Sequence, residues 1–320
     1  MSETASIADL LAKFDELSPE EQAMALHMMQ SSNGLAAVIS ALEERAERDR
    51  QCPHCRAAGA WRRGKVSDLA RYECRACGRT YNALTGTDLA RLRMKDRWLE
   101  MASSLTDLET VRQSADRCGI DKGTALRWRH RFLRAAGRLK KQVKIGGVAE
   151  ADIIEVRHSD KGSRALPDDR PARERGGPKK PGEAAVSILT VVERGGDVRM
   201  GVLQAQNAGA IRYELGDCLD RGTIITTDAA TNFGKTFRKM GVHHERVNLA
   251  QKQRVNGPYH VQTINGIHAR LRGFLRTFNG VATKYLNLYL EWFCLVEHRD
   301  ITNRFAFFST VAHGLALTRA

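Results

Sequence analysis

Two isolated aspartates, each on an otherwise apolar strand, are the residues most able to do chemistry. Asp152 lies near the start of the β-branched stretch from Glu150 to Val156, and Asp228 ends the stretch Thr223–Thr227. A carboxylate in an apolar strand is costly unless it is paired or bound to metal. Carboxylates that hold two Mg²⁺ or Mn²⁺ ions about 3.5–4 Å apart serve phosphoryl transfer, in which one ion activates the attacking oxygen. We therefore predict that Asp152 and Asp228 are ligands of such a metal pair.

A later helix could supply the remaining groups of this site. The sequence Val261–Phe278 has apolar residues at helical spacing. Asn265 and Arg272 are seven residues apart and face nearly the same way two turns along. Asn265 could bind metal through its carbonyl oxygen, Arg272 could hold a DNA phosphate, and His268 lies on a similar face. There are plainer interpretations, since Asp228 could simply cap the next helix, and Asn265 and Arg272 could be ordinary surface residues.

Four of the seven cysteines form two CxxC pairs that suit a metal ion. They are Cys52, Cys55, Cys74 and Cys77. The 18 residues between the pairs are typical of a zinc ribbon, in which four thiolates hold one structural Zn²⁺. His54 is expected to be a bystander, and a redox dithiol, the alternative, does not explain two pairs. This use of cysteine favours a reducing cytoplasm over a disulfide framework.

The elements that must position the two aspartates follow an informative order. After the strand of Asp152, the patterns predict two more strands, a helix, the strand that Asp228 ends and a final helix: Ala185–Val192, Val198–Leu203, Ala208–Leu219, Thr223–Thr227 and a helix that stops at Gly241. This order is typical of a ribonuclease H-like mixed α/β domain, in which the first and fourth strands are neighbours. The Pro- and Gly-rich segment Leu166–Glu183 is predicted to be a mobile basic loop.

A basic helical region precedes this domain. Helices are predicted around a tight turn at Cys118-Gly119, with Asp121 capping the helix that follows. A helix-turn-helix lays such a helix in a major groove, although generic helical hairpins share the pattern. The residues that we expect to be exposed and to contact DNA are three arginines of this helix and two lysines of the tail behind it: Arg127, Arg129, Arg131, Lys140 and Lys141.

The charge of the chain supports a polyanionic partner. The 320 residues include 51 Lys and Arg against 37 Asp and Glu, and the net charge is +14. Residues 51–145 hold 22 basic and 9 acidic residues, whereas residues 1–50 hold 4 and 10. A basic block of this kind is typical of nucleic-acid binding, and a solvated basic face is the alternative. We find no signal-peptide pattern and no apolar run of the roughly 20 residues that span a bilayer.

These patterns divide the chain into five parts. They are a helical N-terminal module (1–50), a zinc ribbon (51–88), a helix-turn-helix DNA-binding region (89–145), a ribonuclease H-like domain (146–310) and a tail (311–320). In this order the parts resemble the bacterial insertion-sequence transposases of the ISXO-like branch, over roughly residues 50–300. The most specific motifs are Glu150-Ala151-Asp152, Lys161-Gly162-Ser163-Arg164, Thr227-Asp228, the helix start from His260 to Asn265, and Phe278–Leu286 with Tyr289 and Trp292.

The resemblance implies a catalytic set and a reaction. In that family the set is two Asp, then Asn or Glu, then Lys seven positions on, which implies Asp152, Asp228, Asn265 and Arg272 here. Arg in place of Lys, and Ile153-Ile154 in place of a more polar pair, depart from the family pattern. The implied reaction is metal-dependent cleavage at the ends of the element, followed by attack of the freed 3′-OH on target DNA.

The resemblance also implies partners and a location. The expected partners are double-stranded DNA, as terminal repeats and as target, and further copies of the chain in a homo-oligomer, with no membrane partner. The expected location is the bacterial cytoplasm, in association with the nucleoid. Two alternatives stay open: a non-catalytic zinc-ribbon and helix-turn-helix DNA-binding regulator, and a ribonuclease H-like nuclease that cleaves strands without joining them.

Overall fold

The computed structural model describes most of the chain beyond residue 50. The described residues are 50–67, 69–138, 143–163, 184–216, 218–228, 231–247 and 255–298, with single residues or pairs at 40, 43–44, 46–47, 306–307 and 310–311. Most of the predicted N-terminal module, all of the predicted loop 166–183, Lys140, Lys141 and almost all of the tail lie outside these residues. No helix among the described residues is both long enough and apolar enough to cross a membrane.

The cysteine-rich region folds as a three-stranded antiparallel sheet. Its strands are β1 (Ala60–Val66), β2 (Leu69–Cys74) and β3 (Thr80–Tyr81), in the order β1-β2-β3. Residues of β2 alternate between the two faces of the sheet, since Ala70, Tyr72 and Cys74 are buried while Arg71 is exposed. One face of the ribbon sheet therefore builds a small core, and the other remains open to solvent.

Three helices follow the ribbon. They are α1 (Trp98–Thr106), α2 (Val111–Cys118) and α3 (Lys122–Gly137), with a short 3₁₀ turn at Lys95–Arg97 before them. Thr110 and Gln113 form a capping box that begins α2. Gly119 ends α2 with a φ of 58°, a left-handed conformation that glycine adopts without strain. The side chain of Asp121 accepts from Gly123 N and Thr124 N and caps α3, so the predicted turn and cap are confirmed.

The second half of the chain is built on a five-stranded mixed sheet. Its strands are β4 (Val148–Arg157), β5 (Ala185–Glu193), β6 (Val198–Leu203), β7 (Ile224–Asp228) and β8 (His243–Val247), in the order β6-β5-β4-β7-β8. The first three strands are antiparallel neighbours, and β7 and β8 run parallel to β4. This order confirms the ribonuclease H-like fold class, because the first strand lies at the centre of the sheet beside the fourth.

Helices cover both faces of this sheet. Helices α4 (Ala208–Leu215) and α5 (Thr231–Met240) cover one face. Helices α6 (Gln262–Thr277) and α7 (Leu286–Glu297) cover the other, after a small hairpin of β9 (Val255–Asn256) and β10 (Tyr259–His260). Helix α4 was predicted to run to Leu219, but it ends at Leu215 because Gly216 leaves helical geometry with a φ of 49°.

The larger core joins the helical region to the five-stranded sheet. It includes Trp128 and Phe132 of α3 together with Leu290 and Phe293 of α7, all of which are buried. The opposite face of the sheet has a separate core, in which Ala149 and Ala151 of β4 pack with Phe233 and Phe237 of α5. Alternate residues of β4 therefore face different cores, and the even-numbered residues from Glu150 to Ile154 face α6.

Candidate active site

The structure brings Asp152 and Asp228 to the same level on neighbouring strands. The parallel strands β4 and β7 pair up to Glu150 opposite Thr226. Two residues further along each strand are Asp152 and Asp228, so this register places the two aspartates side by side. Equivalent residues of paired strands project to the same face of a sheet. Both predicted carboxylates therefore point toward the face that α6 covers.

Asp152 occupies an environment that disfavours its charged form. Its side chain is 29% exposed, and the backbone N–H of Ile153 donates to its Oδ1 at 2.7 Å. The pKa of Asp152 is raised to about 6, chiefly by burial and to a smaller extent by the charge of Asp228. The Ile153 N–H and the Arg272 guanidinium act in the opposite direction. A divalent cation bound between the two carboxylates would supply the positive charge that this site lacks, and oxygen donors of this kind suit Mg²⁺ or Mn²⁺.

Helix α6 corresponds to the predicted helix Val261–Phe278 and packs on β4, the strand that carries Asp152. Its buried stripe faces the sheet and consists of Ile264, Ile267, His268, Leu271 and Phe274. Asn265 and Arg272 are exposed on the neighbouring face of the helix. The charge of Arg272 reaches the site, because it lowers the pKa values of both Asp152 and His268. Asp152, Asp228 and Arg272 thus share one electrostatic environment, while the roles assigned to them and to Asn265 remain predictions.

His268 is a buried contact of Asp152 that the sequence reasoning placed only on a similar face to Asn265. Its Nδ1 lies 3.6 Å from Asp152 Oδ2, and its Nε2 lies 3.0 Å from Thr190 Oγ1. Thr190 is the residue of β5 that pairs with Asp152 across the sheet. Burial lowers the pKa of His268 to about 4, with a further lowering by Arg272, so the ring is neutral near pH 7. The ring therefore connects α6 to Asp152 and Thr190 without adding charge.

Glu150 is a buried carboxylate whose contacts the sequence analysis did not predict. It is fully buried, and its Oε2 accepts from the backbone N–H of Ile264 in the first turn of α6 at 2.9 Å. Its Oε1 lies 3.3 Å from Arg194 Nε and 3.1 Å from His260 Nδ1. Glu150 therefore holds the start of α6 and the end of β10 against β4. The available signal was a carboxylate two residues before Asp152, and hence on the same face of the strand.

Comparison with known proteins identifies the second half of the chain. Residues 161–294 match the family model of the ISXO2-like transposase domain. This segment is similar to the transposase domain of insertion sequences. The matched segment contains Asp228, Asn265 and Arg272 and begins after Asp152. The resemblance to ISXO-like transposases is thereby confirmed.

One curated protein and several solved structures are similar to this chain. An uncharacterized protein in transposable element ISH50 of Halobacterium salinarum is 27% identical over 251 residues, which cover 76% of this chain and 84% of the relative. A pre-cleavage Mos1 transpososome has a TM-score of 0.30 and 11% identity, over 69% of this chain and 78% of that chain. The Mos1 strand transfer complex has a TM-score of 0.30 and 14% identity, over 72% and 79%.

The four predicted zinc ligands converge in the ribbon. The Sγ atoms of Cys52, Cys55, Cys74 and Cys77 lie within 4.8 Å of one another. Cys52 and Cys77 are 3.7 Å apart, and Cys55 and Cys74 are 3.6 Å apart. Tetrahedral Zn²⁺ with Zn–S bonds of about 2.3 Å holds sulfurs about 3.8 Å apart, so the cluster fits zinc. The backbone N–H of Cys77, followed by that of Ala76, lowers the pKa of Cys74 to about 7, which favours the thiolate.

The predicted exposure of the α3 arginines is correct for Arg127 and wrong for Arg129. Arg129 is fully buried, where its Nη2 donates to Glu109 O at 2.6 Å and to Ser114 Oγ at 2.7 Å. Its guanidinium also lies over the rings of Phe278 and Trp292. Arg131 is half-buried and donates to the backbone carbonyls of residues 88 and 90. Arg129 follows Trp128 by one residue and Ala125 by four, and helical geometry therefore turns it toward the core.

Proposed function

We propose that this transposase binds the ends of an insertion sequence, cleaves them in a metal-dependent reaction and transfers the freed 3′-OH to target DNA. The observation that carries the proposal is the pairing of Asp152 with Asp228 at one level of the sheet, beneath a helix that bears Asn265 and Arg272. Two carboxylates on adjacent strands, joined by Asn265 as a third oxygen donor, would form a donor set suited to phosphoryl transfer.

Each residue of the site has a proposed role. Asp152, Asp228 and Asn265 would hold Mg²⁺ or Mn²⁺. Two such ions, when bound, would activate the attacking oxygen and stabilise the leaving oxygen. Arg272 would contact a phosphate of the bound strand through its planar guanidinium, which suits two oxygens at once.

The same groups can serve both steps of the reaction. In the first step, water attacks a phosphorus atom at the end of the element, the P–O3′ bond breaks, and the strand leaves with a free 3′-OH. In the second step, that 3′-OH attacks a phosphorus atom of the target, forms a new P–O3′ bond and releases a target 3′-OH. Both steps are in-line displacements at phosphorus, so the chain need only hold successive phosphates at the same place.

The N-terminal half would bring DNA to the site. Cys52, Cys55, Cys74 and Cys77 would hold one structural Zn²⁺, which stabilises the ribbon. Helix α3 would lie in a major groove with Arg127 exposed toward the DNA, and the basic tail with Lys140 and Lys141 would contact phosphates. The chain would act as a homo-oligomer that holds two ends of the element at once, so that both ends are cleaved together. Its location would be the bacterial cytoplasm, close to the nucleoid.

The experiment that tests this function follows cleavage and joining on labelled DNA that carries the uncut ends of the element. Wild type, Asp152→Ala and Asp228→Ala would be compared with Mg²⁺ or Mn²⁺ after folding and zinc content have been verified. We expect nicks followed by joined products in wild type and neither in the variants. Nicks without joining would replace the proposal with a nuclease. DNA binding without either reaction would leave a DNA-binding regulator.

A further inference from the structure

The outward surface of the zinc ribbon carries a group of side chains that the proposed function does not use. Residues that alternate along its three strands project away from the small core of the ribbon. We call this surface the ribbon outer face, and it consists of Trp61, Arg63, Arg71, Glu73, Arg75 and Thr80. On the opposite face Ala70, Tyr72 and Tyr81 are buried, whereas Arg62 is exposed. Zinc binding and folding therefore require the inner face and leave the outer face free for another role.

Trp61 is the most unusual residue of the ribbon outer face. It is 45% exposed, whereas the other three tryptophans of the chain, all of them described, are at most 3% exposed. The guanidinium carbons of Arg63 and Arg75 lie 5.4 and 5.5 Å from the centre of its ring. Such cation–π contacts leave part of a large apolar ring in water. Arginines grouped on one surface can contact backbone phosphates, and the exposed ring between them offers apolar surface to a nucleotide.

The charge of the ribbon indicates the partner. Residues 50–82 contain eight Lys and Arg against two Asp and Glu. Four thiolates with one Zn²⁺ would add two negative charges, and the ribbon would still be clearly positive. Glu73, the one carboxylate on the ribbon outer face, accepts a hydrogen bond from Arg63 Nε at 3.0 Å. Arg71 and Arg75 are therefore available to contact a polyanion. An acidic protein partner would require the arginines but not the aromatic ring beside them, so the surface favours nucleic acid.

We propose that the ribbon outer face is a second surface that contacts duplex DNA, distinct from helix α3. Arg71 and Arg75 would contact backbone phosphates, and Trp61 would pack against the nucleotide between them. The inference rests on the proposed function only in that the chain binds DNA. The ribbon would then be part of DNA binding rather than only a zinc-stabilised support for the helices.

The exposure of Trp61 provides a direct test with the zinc-loaded full chain. Acrylamide quenches accessible tryptophan fluorescence, and Trp61 is the exposed tryptophan among the four. The quenching would be measured with and without a saturating DNA duplex that carries an end of the element. We expect DNA to reduce the quenched fraction by at least half in wild type. In Trp61→Phe, the remaining emission should resist acrylamide with or without DNA.

A second measurement tests the phosphate contacts. The logarithm of the DNA association constant falls with the logarithm of salt concentration by about 0.9 for each phosphate contact in a duplex. The double variant Arg71→Gln, Arg75→Gln should therefore lower the slope by about 2. Arg212→Gln is a matched control, because Arg212 is an exposed arginine on α4, away from the ribbon. Its slope should equal that of wild type.

The outcomes separate this inference from the proposed function. Tight DNA binding that leaves Trp61 fully accessible to acrylamide, with an unchanged salt slope in the double variant, would overturn the inference and leave transposition intact. Protection of Trp61 in a chain that joins no strands would support the inference and refute the catalytic part of the proposed function. A folded, zinc-loaded chain that binds no duplex at all would refute both.

Discussion

At the scale of single residues, the burial of Asp152 lowers the stability of the folded chain near neutral pH. The pKa of Asp152 in the folded chain is about 6, above its ordinary value of 3.8, chiefly because the carboxyl is buried. Between these values the folded state binds more protons than the unfolded state. The free energy of unfolding therefore falls as the pH rises from about 4 to about 6 and then levels off. Near pH 7, without divalent cations, the charged carboxylate of Asp152 lowers the free energy of unfolding.

We predict that Asp152→Asn stabilises the chain when divalent cations are absent. The amide has nearly the same shape and carries no charge, so unfolding at pH 7.5 should require on the order of 1–3 kcal/mol more than in wild type. The difference should vanish below about pH 3, where Asp152 is protonated in both states. Added Mg²⁺ should raise the melting temperature of wild type and not that of the variant. Urea denaturation across this pH range measures the effect.

Glu155→Gln is the matched control for this prediction. Glu155 is an exposed carboxylate on the same strand, and its replacement should change the free energy of unfolding by less than about 0.5 kcal/mol at any pH. If Asp152→Asn were less stable than wild type at pH 7.5 in the absence of divalent cations, the electrostatic description of the site would be wrong.

The residue types were sufficient to select the two aspartates as candidates. The contacts between elements could not be predicted from the sequence. An isolated carboxylate in an apolar strand stands out in a single line of sequence, as Asp152 does. The contacts of Glu150 and His268 depend on how α6 lies across the sheet, which no local spacing determines. The buried Glu150 was therefore missed, and His268 was noticed only for its helical position.

At the scale of elements, helix α3 shows where sequence patterns succeed and fail. Its start and its cap follow from local signals, namely Gly119 and Asp121, and were predicted correctly. The exposed face of α3 was predicted wrongly, because residues two apart on a helix point about 200° apart and cannot share a face. Arg127 and Arg129 therefore belong to different environments. A long basic side chain can be buried when neighbouring elements supply carbonyls and aromatic rings, as they do for Arg129.

We predict opposite effects for substitutions of these two arginines. Arg129→Ala removes two buried hydrogen bonds and leaves a cavity beside Phe278 and Trp292, so it should lower the free energy of unfolding by about 2–4 kcal/mol. Arg127→Ala should change that free energy by less than about 0.5 kcal/mol and should weaken DNA binding severalfold. Urea denaturation and fluorescence anisotropy with a labelled duplex measure the two effects. Equal losses of stability in both variants would contradict the assignment.

Glu150 gives a further prediction at this scale, because it joins β4, β10 and α6. Glu150→Ala would leave the Ile264 N–H and Arg194 without this acceptor in a buried place, at a cost of about 2–4 kcal/mol. It should also raise the Mg²⁺ concentration required for half-maximal strand cleavage, because α6 carries Asn265. Glu150→Gln keeps an acceptor for Ile264 N–H and should lie between wild type and Ala. An unchanged Mg²⁺ requirement in Glu150→Ala would show that Glu150 does not position α6 for metal binding.

At the scale of the whole molecule, the ribbon has its own core beside those of the catalytic sheet. Buried ribbon residues such as Cys52, Tyr72 and Tyr81 pack with one another, apart from the two cores that flank the sheet. The order of the parts along the chain was predictable, because each part has a local signature in cysteine spacing, charge or strand pattern. The packing of α3 against α7 was not, since it joins residues about 160 positions apart through shape alone.

Removal of zinc should therefore affect the two halves of the molecule differently. We predict one Zn²⁺ per chain, released by a thiol-reactive mercurial and a chelator. Its loss should unfold the ribbon and reduce duplex affinity by at least tenfold. The main thermal transition of the catalytic sheet should be largely retained, because its cores contain no zinc ligand. A single transition in which the entire chain unfolds on zinc loss would contradict this division.

The measurement that tests the central claim most directly is strand transfer from pre-cleaved ends with Mg²⁺. A pre-formed 3′-OH omits the first step, so joining depends only on the paired aspartates and the DNA held above them. Wild type should give joined products, whereas Asp152→Asn and Asp228→Asn should give none while they bind the end with unchanged affinity. Joining that persists in either variant, or its complete absence from folded, zinc-loaded wild type that binds the end, would contradict the claim that these residues catalyse strand transfer.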